Sequence, residues 1–471
     1  MEMQELLPDD MVAEVLGRLP ASSLAAARCV CKRWCSIVDG RRLLRALLLP
    51  LRLAGIFYSD DLLNPHKADP YFFARPPTAR HITCDFYNVF LDNNGGPNVD
   101  RRILHHCNGL LLLGWDMAVV NPATRQWAIL PPFPFNSFPP LQLPPSSSIN
   151  GCGCIGDEEM DLSFYLVYDP IAVSPHHFEV FFIPGLMLQY KSKYDGRGEW
   201  PPSPYTMRVF SSTTWKWEER SFVRQGEPVG TIADIATDDD RPGVYFRGAL
   251  YVHCQNNSVM RITCLSNDSN KYQMIKLPSA PSKHEGPYLG KSKEGVYSAL
   301  RYQDDASCPH FRIWLLNVHK MEWVLRSDIN LQAVVENFAT FDFANRYNKP
   351  WILVPYYKIA PPIQPTQEAD GNIIESDNNE WDFDNGGIIL ETKDDEVTRQ
   401  RSYPMPYFLG FHPCKEIALF CAVSTRRAFC YQLNTSKVQE LGILNVLDRV
   451  EASFLYTPCM LDVRGLSAYV T

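Results

Sequence analysis

The 471-residue chain has no apolar run of the length a transmembrane helix needs. The nearest approach, residues 43–58, is interrupted by Arg45 and Arg52. No charged segment followed by an apolar stretch opens the chain, so no secretory signal is expected. Positive charge is scarce as well. The formal net charge is −8, and the basic patches, such as Arg41, Arg42 and Arg45, are small. A nucleic-acid-binding face is therefore not expected. There is no phosphate loop of the G-x-x-x-x-G-K-S/T type, no G-x-S-x-G elbow and no H-E-x-x-H pair. The 14 cysteines follow no ligand frame. Cys152-Gly153-Cys154 has no second pair nearby, and His105-His106 and His176-His177 are neighbours that point in different directions. No metal, no cofactor and no catalytic residue is expected. Without a secretory signal, the thiols are expected to be free, in a reducing cytoplasm or nucleus, and mostly buried as small hydrophobes.

Hydrophobic residues at 45% and charged residues at 21% are those of a globular chain. Proline (37 residues) and aromatics (12%) are raised, which suits short strands and frequent turns. The first stretch, residues 6–38, is different and reads as three short helices. Pro8 suits a first helical position, and Asp9 and Asp10 favour the positive end of the helix dipole. Val12, Val15, Leu16 and Leu19 recur at i, i+3, i+4 and i+7, which predicts one apolar face. Pro20 stops the helix. Ser22 or Ser23 caps a second helix carrying Leu24. A third follows with Val30, Trp34, Ile37 and Val38. Arg41 to Leu49 continues as a stiff connector that ends at Pro50. A unit of this size seldom stabilises itself without a partner. Either a partner's helices complete its core or the helices cap the domain that follows.

The order of residues resembles a known module. Leu7-Pro8 before an acidic pair, Leu19-Pro20, Ser23-Leu24 and Arg28-Cys29-Val30-Cys31-Lys32-Arg33-Trp34 are similar to the F-box. The resemblance covers about residues 5 to 45. It implies docking on the Skp adaptor of an SCF-type ubiquitin ligase, and through it on cullin and RING subunits. It also implies that Leu7, Pro8, Val12, Val15, Leu16, Leu19, Pro20, Leu24, Val30, Trp34 and Ile37 make or directly support the adaptor contact.

From about residue 103 a hairpin recurs: β-formers, a polar turn, then β-formers again. It appears over 117–130, 206–219, 261–277, 311–328 and 428–441. An aromatic follows the turn at Trp127, Trp217, Tyr272 and Trp323. Further strands are predicted over 108–115, 164–168, 178–183, 244–252 and 295–300. A last strand over 454–460 is placed to pair with one near 53–57 and close a ring. About four strands per unit, at a spacing near that of kelch repeats, predicts a β-propeller of six or so blades. The alternative is a β-sandwich followed by a second β-domain. His106-Cys107-Asn108-Gly109-Leu110-Leu111, then Val120-Asn121-Pro122-Ala123-Thr124-Arg125-Gln126-Trp127, resemble the start of the F-box-associated domain of plant F-box proteins, which is similar to a propeller.

The expected class is therefore α+β and multidomain. A small helical F-box with its connector occupies 1–50, and a mostly-β substrate-binding domain occupies 51–471. A proline-rich loop near 131–148 and an acidic insert near 361–401 interrupt the second. Trp200, Tyr205, Tyr288, Tyr356, Tyr357 and Trp381 fall in segments that read as loops. The resemblance implies a non-catalytic ligase subunit that presents a protein target for ubiquitination. A propeller that reads a small molecule or glycan is the alternative. No residue identifies the substrate face.

Overall fold

The computed structural model describes residues 8–19, 27, 30–41, 43, 53–60, 70–75, 82, 86, 101–114, 117–134, 143, 160–170, 177–236, 241–264, 270–278, 287–302, 310–331, 351–354, 388–389, 406–422, 425–444, 450–459 and 466–468. Helices α1 (Asp9–Gly17) and α2 (Lys32–Gly40) lie at the N-terminus and touch each other. The remainder is mostly β. The expected second helix and the connector lie almost wholly outside the described residues.

Strands β1 (Gly55–Asp60) and β2 (Tyr71–Ala74) are an antiparallel pair. Four antiparallel meanders follow in chain order. The first is β3 (Ile103–Cys107), β4 (Leu110–Leu113), β5 (Ala118–Asn121) and β6 (Gln126–Ile129). The second is β7 (Met160–Tyr168), β8 (Phe178–Leu186), β9 (Tyr205–Ser211) and β10 (Lys216–Gln225). The third is β11 (Gly243–Phe246), β12 (Ala249–His253), β13 (Ser258–Thr263) and β14 (Lys271–Lys276). The fourth is β15 (Tyr288–Lys291), β16 (Val296–Tyr302), β17 (His310–Asn317) and β18 (Glu322–Asn330). After the short strands β19 (Ile352–Val354) and β20 (Ile388–Ile389) comes a fifth: β21 (Tyr407–Phe411), β22 (Ile417–Ala422), β23 (Arg427–Gln432) and β24 (Lys437–Ile443). Strands β25 (Val450–Tyr456) and β26 (Ser467–Ala468) end the order.

The late strands complete earlier sheets. β25 pairs with β1 (Phe57 opposite Phe454) and β19 pairs with β2, giving a four-stranded sheet assembled from distant parts of the chain beside the five meanders. The closing pair expected between residues near 53–57 and 454–460 is thus present, shifted to Gly55–Asp60 and Val450–Tyr456. β26 adds to β6, and β20 adds to β24. β20 comes from within the acidic insert, most of which lies outside the described residues. The second and third meanders join into one eight-stranded sheet because β10 and β14 pair in parallel.

The innermost strands touch in a closed cycle. β3 lies against β7, β7 against β11, β11 against β15, β15 against β21, β21 against β25, and β25 against β3. Glycine allows two of these approaches. A Cβ on Gly243 would stand 2.5 Å from Tyr165 Cδ1, and one on Gly290 would stand 2.7 Å from Phe411 Cδ2. Apolar side chains fill the spaces between sheets. Phe57, Phe72 and Leu111 pack in one such space, Phe133, Phe164 and Phe182 in another, and Phe311, Phe408 and Phe420 in a third.

All five expected hairpins are formed. Four share one turn device. The fourth turn residue is left-handed: Arg125 (φ 57°), Trp215 (φ 56°), Met321 (φ 54°) and Ser436 (φ 57°). Ahead of it, Asn121, Ser211 or Asn317 accepts hydrogen bonds from backbone N–H groups two or three residues on. Such local caps fix a turn without help from the rest of the fold. Trp127, Trp217, Tyr272 and Trp323 each fall second in an outer strand, with the side chain turned into the space between sheets.

Two expectations need correction. Residues 244–252 are not one strand but the hairpin β11–β12, turned at Arg247 (φ 44°) and Gly248 (φ 84°). Of the aromatics read as lying in loops, Trp200 does lie in one but packs into the core, whereas Tyr205 and Tyr288 begin strands. Trp200 is buried with Nε1 donating to Cys254 O, and Tyr205 begins β9 with its hydroxyl on Pro184 O. Tyr288 opens β15 and packs on Phe408. Tyr356, Tyr357 and Trp381 lie outside the described residues. Within the proline-rich stretch, Phe133 is buried against Phe164, Phe182 and Trp217, which anchors the start of the loop.

Candidate functional site

The helical module has its own core. Val12, Ala13 and Leu16 of α1 pack on Ala27 and on Ile37 and Val38 of α2, with Leu19, Trp34 and Leu43 at the margin. Pro8 caps α1, and Asp9 and Asp10 fill its first turn. Arg33 of α2 reaches Asp9 at 2.9 Å, and Arg41 pairs with Asp10. These pairs are exposed, so they orient the helices more than they stabilise them. α1 ends at Gly17, three residues before Pro20, and Leu16 O accepts from Leu19 N instead of continuing the helical ladder. The nitrogen of Pro20 has no hydrogen to give that carbonyl.

The face predicted for α1 is divided. Val12 and Leu16 point into the core, but Val15 is 60% exposed. At about 100° per residue, the buried stripe centres between Val12, Leu16 and Ala13, and Val15 falls well to one side of it. Met11, four residues earlier, lies beside Val15 and is 54% exposed. Pro8 is exposed above them, and Leu19 is half-buried below. Val30, just ahead of α2, is 65% exposed. The module thus closes an inner face on itself and leaves Met11 and Val15 of α1, and separately Val30, exposed. Of the expected contact residues, Pro8, Val15 and Val30 lie exposed, while Val12, Leu16 and Ile37 support from beneath. Trp34 is half-buried, and Leu7, Pro20 and Leu24 lie outside the described residues. Met11 was missed because it is out of phase with the stripe that the apolar spacing picks out.

The centre of the cycle is a second place where polar groups converge. His105 on β3 points toward β7 and β11. Its Nδ1 accepts from Leu166 N at 3.1 Å, and its Nε2 lies 3.1 Å from Gly243 O. A neutral ring protonated on Nε2 satisfies both contacts, and burial lowers its pKa to about 4. His106 turns the other way, edge-on to Phe454. Lys291, at the end of β15, donates to Asn108 Oδ1 just past the end of β3 at 2.8 Å. Asn108 Nδ2 donates to Tyr168 O, and the Tyr245 hydroxyl donates to Asp169 Oδ2 at 2.8 Å. Burial raises the pKa of Tyr168, Tyr245 and Cys107. Tyr168, Tyr245 and Cys107 therefore stay neutral near pH 7, and the hydrogen bonds of this cluster tie strands together.

Residues 5–46 match the F-box domain. The chain carries an F-box domain at its N-terminus. Its relatives include an F-box/kelch-repeat protein of Arabidopsis thaliana, 26% identical over 166 residues, covering 34% of this chain and 39% of that one. The F-box protein ETP2 of Arabidopsis thaliana is 33% identical over 132 residues, covering 26% of this chain and 33% of that one. The match thus spans about two fifths or less of the length of these two relatives. Another Arabidopsis thaliana F-box protein is similar over more of its length: 23% identity over 367 residues, 74% of this chain and 83% of that one.

Proposed function

We propose that the chain is the substrate-recognition subunit of an SCF-type ubiquitin ligase. The observation that carries this reading is a module matched to the F-box whose Met11, Val15 and Val30 side chains lie exposed. Covering each such side chain is worth roughly 1.5–3 kcal/mol, so an apolar face of a Skp-type adaptor is the natural occupant. Leu7, Pro20 and Leu24 belong to the same proposed contact. Cullin and RING subunits join through the adaptor.

Residues 51–471 are proposed to form a kelch-like propeller, with each four-stranded group as a blade and β25 closing the sixth. The cycle of inner strands supports that reading. The propeller would hold a target protein at a fixed distance from the ubiquitin-charged enzyme. Its contribution is proximity and orientation, not chemistry. A non-catalytic role is part of the same proposal, and cytoplasm or nucleus is the proposed location.

The test is a paired affinity purification with the proteasome inhibited. One bait is the whole chain and the other lacks residues 1–45. The proposal expects adaptor and cullin to be lost with the deletion, while a separate protein stays bound and accumulates. If the intact bait never retains the adaptor, the reading is wrong.

A further inference from the structure

The inner strands β3, β7, β11, β15 and β21 bring their C-terminal ends together at one side of the ring. Asn108, just past β3, accepts from Lys291 at the end of β15 and donates to the Tyr168 carbonyl at the end of β7. The Tyr245 hydroxyl of β11 donates to Asp169, just past β7. Arg247, just past β11, donates to the Lys293 carbonyl at 3.5 Å. The Ser292 hydroxyl, just past β15, donates to the Lys415 carbonyl in the turn after β21 at 3.0 Å.

This end gathers cations on a chain whose net charge is −8. Arg247, Lys293 and Lys415 stand in the turns, and Lys291 lies inside them on a strand. None of the four forms an ion pair with a carboxylate among the described residues. The carboxylates nearby are engaged elsewhere. Asp169 accepts from Tyr245, Glu416 accepts from the Ser292 and Tyr297 hydroxyls, and Glu294 faces Arg326 at 3.5 Å.

Lys291 is half-buried, and its bond to Asn108 uses one of three ammonium hydrogens. His106 lies on the face of β3 opposite His105, and its ring nitrogens make no hydrogen bond among the described residues. Burial, His105 and the Lys291 charge lower its pKa to about 3, so the ring is neutral and offers one N–H. A half-buried ammonium without a counter-charge and an imidazole without a partner therefore stand within electrostatic reach of one another.

We infer that this end of the ring is a carboxylate-binding site centred on Lys291. A carboxylate accepts the remaining ammonium hydrogens and the His106 N–H, in charge-assisted bonds that Asn108 aims by holding Lys291. Arg247, Lys293 and Lys415 suit a ligand that carries further carboxylates. The Asp169 carboxylate beside the site disfavours a doubly charged phosphate. This inference does not depend on the ligase reading, since its test contains no adaptor.

The probe for the full chain is a fluorescein-labelled peptide of about six glutamates, read by anisotropy at fixed ionic strength because bare charge attraction is screened by salt. The peptide should bind, and Lys291→Met should weaken it about tenfold. Lys291→Arg should retain it, and Lys216→Met on the outer strand β10 should leave it unchanged. Should Lys291→Met fold poorly, Lys293→Ala with Lys415→Ala should show the same loss. Ring resonances that vanish in His106→Gln should shift when the peptide is added. Sodium acetate should displace the peptide where sodium chloride of equal strength does not. Acetate that matches the peptide in affinity assigns the site to a free small acid, and a tighter peptide assigns it to an acidic segment. Tighter binding after Glu391, Asp394, Asp395 and Glu396 become amides assigns it to the chain's own acidic insert. Displacement by chloride as readily as by acetate overturns the inference, as does a loss in Lys216→Met equal to that in Lys291→Met. Absence of binding in both the natural chain and the amide variant overturns it too.

Discussion

Lys291 Nζ and Asn108 Oδ1 meet at 2.8 Å although 183 residues separate them in sequence. Their strands, β15 and β3, stand three steps apart in either direction around the cycle of inner strands. The bond therefore spans the centre and ties opposite sides together. Lys291→Met and Asn108→Gly, the latter suited to the left-handed backbone at φ 46°, should each lower stability by about 1 kcal/mol. The double variant should lose less than the sum, with a coupling of roughly 0.5–1.5 kcal/mol in urea unfolding. Zero coupling would mean that the two side chains do not meet in solution.

His105 makes stability depend on acid. Its pKa of about 4 in the folded chain lies below its ordinary value of 6.5 because it is buried. The unfolded chain therefore takes up the proton first as pH falls. Stability is full above about pH 6.5 and declines toward pH 4, by roughly 3 kcal/mol from this group alone. His412 is buried in the same way, with a pKa of about 3, and acts in the same direction. Urea midpoints at pH 7.5 and 5 should differ, and His105→Gln, which keeps a donor for Gly243 O, should reduce the difference. An unchanged slope in that variant would remove His105 from the account.

The helical module should separate folding from docking. Met11→Asp with Val15→Asp changes only exposed side chains, so the melting temperature should stay within a degree or two while adaptor binding falls by about two orders of magnitude. Leu16→Ala should cost about 2–5 kcal/mol of module stability through the cavity it leaves. Calorimetry alongside a binding assay checks both. Wild-type adaptor binding by the double variant would move the contact elsewhere.

Thiol reactivity should follow burial. Burial raises the pKa of Cys254 and Cys421 to about 12 and that of Cys107 to about 11. Cys31, Cys35 and Cys414 are only half-buried. A maleimide at pH 7 should label the latter three within minutes and the former three only after unfolding, as peptide mapping would reveal. Rapid labelling of Cys254 in the folded chain would contradict its packing.

Legibility in the sequence followed locality. Hairpins such as β5–β6 and β17–β18 were readable because Asn121 and Asn317 cap their own turns. The closing pair of β1 with β25 was readable because both strands are dense in β-formers. The inner strand β15, Tyr288-Leu289-Gly290-Lys291, was missed because it includes Gly290, whose role is to admit Phe411 from a strand far along the chain. Val244 to Val252 was read as one strand because its composition stays strand-like through the tight turn at Arg247-Gly248. In the module, apolar spacing found the inner stripe but could not assign Val15 or Met11, whose exposure depends on where α2 packs. The polar links of Lys291, Asn108 and His105 are non-local contacts and left no local mark.

The pairing of β1 with β25 has a consequence for synthesis. During translation the F-box region emerges early, while the sheet begun by β1 and β2 waits for residues 450–456. A message cut short before Val450 would yield a chain with its docking helices made and its ring left open. On the proposed function, such a product would occupy adaptor without holding a target in a finished ring, and so would compete with its full-length counterpart. Late nonsense alleles of this gene should then act dominantly, whereas early ones that remove α1 or α2 should be recessive.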